Sequence, residues 1–253
     1  MKPAVFILLL LSLAPVAVAA PADPLDALVT AYESHIRAGD PDQAADAGEE
    51  LPRQWRDVSP DALAARADRA KALLAEIEAA ETARTLDQAI LARLLTDEIR
   101  DVASDSARIP FTGDWGFQAE PVFAAMRLRV RTVAEAEAWI ARLNDVPRYF
   151  AQNRANMTRG IETGWTAHAD PLNTARAQIE AQITEDVAAS ELYRPLAEMG
   201  GEVDAESRSR LQAEGLVAAA RAIEAYRETL TFIDEVYAPA ARQSAGIAGL
   251  EGG

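Results

Sequence analysis

The chain is 253 residues long, with 25 lysines and arginines against 40 aspartates and glutamates, a formal net charge of −15 at pH 7 and no cysteine. The lack of cysteine excludes disulfides, thiol nucleophiles and Cys-based zinc sites, and an acidic surface repels phosphate backbones, which argues against nucleic acid as a partner. The length exceeds that of one average domain, yet no serine- or glycine-rich linker divides it, so one helical unit is expected.

The first twenty residues, MKPAVFILLLLSLAPVAVAA, set Lys2 before an apolar run from Ala4 to Leu13 and end in small residues. That is the pattern of a secretory signal peptide, because the run is shorter than the roughly 18 to 20 residues a membrane span needs. Ala17-Val18-Ala19 supplies the A-x-A cleavage signal, so residues 1–19 are expected to leave and 20–253 to form a helical domain in the periplasm or outside the cell. No later apolar run approaches membrane length, and no membrane contact is expected once the leader is gone. Lys71 is then the only lysine, and the arginine and alanine bias fits high-GC bacterial coding.

Helical signals follow almost end to end. Leu25, Leu28, Val29, Tyr32 and Ile36 share one face, with Gly39 as a C-terminal cap. Ser59-Pro60 opens a second helix, serine as N-cap and proline where its missing N–H is harmless, with Leu63, Ala67, Ala70, Leu74 and Ile77 on the buried side. Thr85 and Gln88 form a capping box for a third, whose apolar stripe reads Leu86, Ile90, Leu94, Leu95.

Residues 105–131 break the rhythm. Pro110, Gly113, Gly116 and Pro121 cannot share one helix, while Phe111, Trp115, Phe117 and Phe123 are too apolar for a solvated loop, so an ordered, packed insertion is expected. Met126, Leu128 and Val130 alternate with Arg127, Arg129 and Arg131, which suggests a short extended segment and three guanidinium groups able to grip a carboxylate or phosphate. The same alternation would also solvate the outer face of any half-buried strand.

Thr132 and Glu135 make a second capping box, for a helix carrying Ala136, Trp139, Ile140 and Leu143. Pro147 is read as opening the next helix, which buries Phe150, Met157 and Ile161 and ends at Gly164; Asp170-Pro171 opens another, burying Leu172, Ile179 and Ile183. A turn around Tyr193 and Pro195 leads to a long helix from Asp204 to about Tyr237, interrupted by Pro239. The fold class expected is all-α, antiparallel helices with one ordered insertion.

Chemistry-bearing patterns are few. His35 and His168 are the only histidines, and neither stands in an E-x-x-H or H-E-x-x-H motif, so both read as structural. The carboxylate clusters Glu49-Glu50, Asp97-Glu98 and Glu76, Glu78, Glu81 read as solvated faces, since neighbours on a helix point in different directions. Asn156-Met157-Thr158 matches a glycosylation acceptor only incidentally, within a helix. No catalytic residue, metal ligand or cofactor is assigned to this chain.

The order of several weaker elements carries a resemblance. Trp115-Gly116-Phe117, then Val130-Arg131-Thr132, then a long helix ending in Tyr237, Pro239 and Arg242 ahead of Leu250-Glu251-Gly252-Gly253, resemble the N-terminal half of the bacterial domain-of-unknown-function 885 family. The resemblance covers essentially the whole mature chain. It implies a mostly helical, secreted or periplasmic, zinc-metallopeptidase-like protein of roughly twice this length, whose metal motif H-E-x-x-P-G-H-H lies in the C-terminal half; nothing in this sequence aligns with that motif. Zinc is thus implied only for a full-length relative. Where the family often has a histidine after the loop aromatic, this chain has Gln118. The resemblance implies Trp115, Phe117, Gln118 and Arg131 as candidates for a substrate cleft, and Thr132, Tyr237, Pro239 and Arg242 as structural positions. The partners it implies are a peptide or a missing C-terminal half. A free-standing periplasmic helical binding protein without enzymatic activity is the alternative.

Overall fold

The computed structural model describes residues 24–48, 50–79, 85–112, 114–201 and 203–244. The leader and the closing Leu250-Glu251-Gly252-Gly253 lie outside the described residues. The helices are α1 (Pro24–Gly39), α2 (Pro41–Asp46), α3 (Pro60–Glu78), α4 (Leu86–Ala103), α5 (Glu120–Arg127), α6 (Val133–Glu162), α7 (Ala169–Glu180), α8 (Arg194–Ala197) and α9 (Ala205–Phe232). The fold is all-α: among the described residues extended pairing is confined to two isolated bridges, Phe111 with Gly116 and His168 with Arg242. No helix among them is long and apolar enough to cross a membrane.

Local chemistry fixes most helix starts. Ser59 accepts from the Ala62 N–H, and Asp204 from the Ser207 N–H. The Thr85/Gln88 and Thr132/Glu135 capping boxes are closed in both directions, each satisfying donors that a helix start leaves without partners. The expected start at Asp170-Pro171 comes two residues earlier: His168 is the N-cap, its Nδ1 accepting from the Asp170 N–H at 3.2 Å, and the helix begins at Ala169.

Pro147 does not open a helix; it lies inside α6, which runs unbroken for 30 residues. Proline there removes one backbone bond, but Leu143, Val146, Tyr149 and Phe150 on either side are all buried at 1 % exposure or less, and that burial outweighs the lost bond. The proposed strand at 126–130 is likewise not a strand. Met126 and Arg127 end α5, and residues 128–131 run on extended without a paired neighbour strand. The alternation is real only beyond the helix, where Val130 is buried between exposed Arg129 and Arg131. Three short helices were not expected, α2, α5 and α8.

Two apolar cores result. The larger gathers around α6 and α9, which run parallel rather than antiparallel as expected, Glu137, Asn144 and Arg154 meeting Arg210, Arg221 and Thr229 in turn, with Phe150, Tyr226, Ile233 and Tyr237 fully buried and Phe111 and Phe117 inserted from the 105–131 loop. Phe150 meets Phe117 and Tyr226 edge-on, at centroid separations of 5.1 and 4.8 Å. The smaller lies between α1, α3 and α4, around Ala70, Ile77, Leu91, Ala92 and Leu95. The face of α4 differs from expectation: of the stripe Leu86, Ile90, Leu94, Leu95 only Leu95 is buried, and the first three are 76, 48 and 45 % exposed.

Between α2 and α3 the chain runs as a strap, residues 55–58, across α6. Four side chains on one face of α6 hold its backbone: Asp145 accepts from the Trp55 N–H (2.7 Å), Arg148 donates to the Trp55 carbonyl (2.7 Å), Gln152 accepts from the Val58 N–H (3.2 Å) and Asn156 donates to the Val58 carbonyl (2.9 Å). Trp55 itself is buried, its indole N–H donating to the Arg142 carbonyl while the Arg142 guanidinium lies 3.7 Å from its ring.

Candidate functional site

The 105–131 loop is ordered as expected, but its aromatic residues divide between two roles. Phe111 and Phe117 are core residues, and Gln118 is 1 % exposed, its side chain donating to Gln178 (2.8 Å) and its carbonyl accepting from the Tyr226 hydroxyl (2.7 Å). Gly116 permits the turn, since a Cβ there would sit 2.5 Å from the Phe111 side chain. Trp115 instead stacks on Phe123 at 4.7 Å and is 55 % exposed. Arg131 is also exposed, beyond α5, its backbone N–H donating to Glu135. Of the four cleft candidates, Trp115 and Arg131 therefore face solvent, while Phe117 and Gln118 fix the loop from inside. The three arginines do not line up as one grip: Arg127 is on α5, and Arg129 donates to the carbonyls of Met126 and Leu128.

Beneath the loop lies a charged group the sequence reading missed. Glu120, at the first position of α5, meets the Arg56 guanidinium and accepts a 2.6 Å hydrogen bond from the Tyr149 hydroxyl. Asp40 stands 3.7 Å from the same arginine. Burial is the leading influence on Glu120 and raises its carboxyl above the ordinary value despite Arg56; burial, then the Glu120 charge, pushes the Tyr149 hydroxyl far up. These groups come from four separate stretches of chain, so no local motif announces them.

His35 is buried, its Nε2 2.9 Å from Glu98, whose other oxygen meets Arg66. A cavity of about 620 Å³, lined by Arg66 and Glu98 of this trio, opens between α1, α3, α4 and the 105–107 turn, and its wall mixes apolar side chains with carboxylates. Neither histidine has the surroundings of a zinc ligand: His35 pairs with Glu98 and His168 caps α7. Among the described residues no group of three or more histidines, aspartates or glutamates is arranged to hold a metal ion. The residues present do not fit a zinc site.

The C-terminal pattern residues form a junction. The α9 helix passes into a π-helical turn, Ile233–Tyr237, then a 3-10 turn, Ala238–Ala240, that begins a residue before Pro239. The Tyr237 hydroxyl accepts from the Ala167 N–H (2.8 Å), Arg242 Nε donates to the Thr166 carbonyl (2.7 Å), and the Arg242 backbone exchanges bonds with Ala167 and Ala169. Tyr237, Pro239 and Arg242 thus turn the chain back and pin the α6–α7 connection. With Thr132 as the α6 cap, this arrangement has the order the resemblance describes, and comparison with known proteins bears on it directly. The family model described as "Bacterial protein of unknown function (DUF885)" matches residues 41–251.

The chain belongs to this family.

Among solved structures, a "putative lipoprotein" from Colwellia psychrerythraea matches with a TM-score of 0.75 at 14 % identity, over 90 % of this chain and 43 % of that one. At that identity the likeness is one of fold, and this chain spans less than half the length of the protein it resembles. None of the curated proteins matches this sequence.

Proposed function

We propose that this chain is the N-terminal, non-catalytic helical portion of a zinc-metallopeptidase-like protein of this family, and that it supplies one wall of a peptide-binding cleft in the complete form. The observation that supports the reading is that this chain matches 43 % of a longer chain of similar fold. The 105–131 loop supports it, since Trp115 rests on Phe123 as an exposed aromatic platform above a rigid base, the kind of surface on which a peptide side chain stacks. Trp115 and Arg131 are the side chains placed to touch a substrate; Phe117 and Gln118 hold the loop.

The chemistry of such an enzyme would be supplied by a part not represented among these residues. The purified chain is expected to carry no stoichiometric zinc by elemental analysis and to leave fluorogenic peptides intact. One zinc per chain together with measurable peptidase activity would overturn the reading.

A second reading is favoured by the closed α6–α9 core: a free-standing helical binding protein. It expects a monodisperse, cooperatively melting monomer, whereas a portion of a larger fold should self-associate through the surface its other half covers. Analytical ultracentrifugation separates the two.

A further inference from the structure

The geometry points to the groove between α1, α3 and α4, continued along α4 by its exposed apolar stripe, as a docking surface for a basic amphipathic segment of a separate polypeptide. The inference stands on this surface alone and does not depend on the cleft reading above.

Leu86, Ile90 and Leu94 recur every four residues, so they form one row about 12 Å long on the outer face of α4. They account for three of the seven large hydrophobic side chains exposed among the described residues. Leu94, the last of the row, is also part of the cavity wall, where Tyr32, Ile36, Leu63 and Val102 continue the apolar surface inward. Row and cavity therefore make one continuous apolar track.

Charge decides what fits it. The cavity lining carries four carboxylates, Asp97, Glu98, Asp101 and Asp105, against two guanidinium groups, Arg66 and Arg159. Both arginines are already committed, Arg66 to Glu98 and Arg159 to Asp105 at 2.5 Å. Asp97 pairs outward with Arg93 and Arg100, whose side chains are 71 and 70 % exposed. Asp101 has no ion-pair partner among the described residues. It also stands in the last turn of α4, where the helix already presents partial negative charge. A cation seated there relieves both. A metal ion is disfavoured because among the described residues no three carboxylates or imidazoles are gathered to ligate one. A second copy of the chain would bring −15 toward −15. A lysine- or arginine-bearing segment with an apolar face matches the whole track, its side chains along the row and its charge at Asp101.

The test is fluorescence anisotropy of a labelled 14-residue leucine–lysine peptide, written with helical spacing, titrated with the full chain. Controls are the leucine–glutamate and serine–lysine peptides of equal length. The leucine–lysine peptide should bind and both controls should bind much more weakly. The double substitution Ile90→Ser with Leu94→Ser should weaken binding by about tenfold or more, and Asp101→Asn by about threefold. Glu185→Gln, at an exposed position on the α7–α9 connection, should leave binding unchanged and so excludes attraction to net charge alone. Asp101→Asn should leave the melting temperature unchanged or higher, because it removes an acid from a helix C-terminus, so loss of folding cannot mimic loss of binding. Equal binding of the acidic peptide, an equal effect of Glu185→Gln, or a chain dimer abolished by Ile90→Ser would each overturn the proposal.

Discussion

At the residue scale, single polar atoms carry distinct duties. Among the described residues the buried Ala167 N–H donates to the Tyr237 hydroxyl alone, so Tyr237→Phe leaves that donor unsatisfied. A loss of about 1–3 kcal/mol is expected, read as a lower urea midpoint at unchanged slope. Glu120 makes a prediction in pH. Its folded carboxyl titrates above the ordinary value near 4.5, so between those two values the folded state binds more protons than the unfolded state. Its contribution to stability is therefore present at low pH and lost as pH rises through the raised value. Measured against Glu120→Gln, which does not titrate, the wild-type chain should lose relative stability on going up from pH 4.5 and then level off. A relative gain over that interval would show that Arg56 outweighs burial.

At the element scale, the sequence was most legible where the chemistry is local. The caps at Ser59, Thr85, Thr132 and Asp204 act within three residues of themselves, so their side chains announce them. The cap at His168 did not, because an imidazole is a rare substitute for the usual oxygen. The face of α4 was misread for a different reason. Its apolar residues occupy more than one side, and the choice of Gln88, Leu91, Ala92 and Leu95 as the buried set is made by α3, which periodicity within α4 cannot reveal. Helices α2 and α5 are too short to show a period. The strap-holding row Asp145, Arg148, Gln152, Asn156 is visible as helical spacing in the sequence, but its meaning depends on a segment some ninety positions away in the chain. Of the cleft candidates, an aromatic in a loop predicts order but not direction, which is why Trp115 and Phe117, two residues apart, point to opposite environments. The end of α6 is similarly governed by approach from outside: a Cβ on Gly160 would stand 2.6 Å from the Trp165 carbonyl oxygen and 3.1 Å from that of Arg108. Gly160→Ala should therefore destabilise the chain by about 1–3 kcal/mol although alanine is the better helix former, a result checked by thermal unfolding.

At the scale of the molecule, the chain belongs to a family whose fold it shares with a protein more than twice its matched length. The all-α class was readable in advance from pattern. The division of the interior into two cores was not. Apolar residues recur evenly along the sequence, and only the packing shows that those of α1, α3 and α4 gather apart from those of α6 and α9.

That division has a consequence for how the molecule opens. The smaller core contains five buried side chains, none aromatic, and its helix α3 follows directly on the strap held against α6, whereas the larger contains a dense aromatic centre on two long helices. The two layers should then open separately. In deuterium, backbone amides of α3 and α4 are expected to exchange at a lower opening free energy than those in the centres of α6 and α9, and Asn156→Ala, which frees one end of the strap, should widen the gap by accelerating the first set alone. Uniform exchange through both layers would mean that the strap couples them into one cooperative unit.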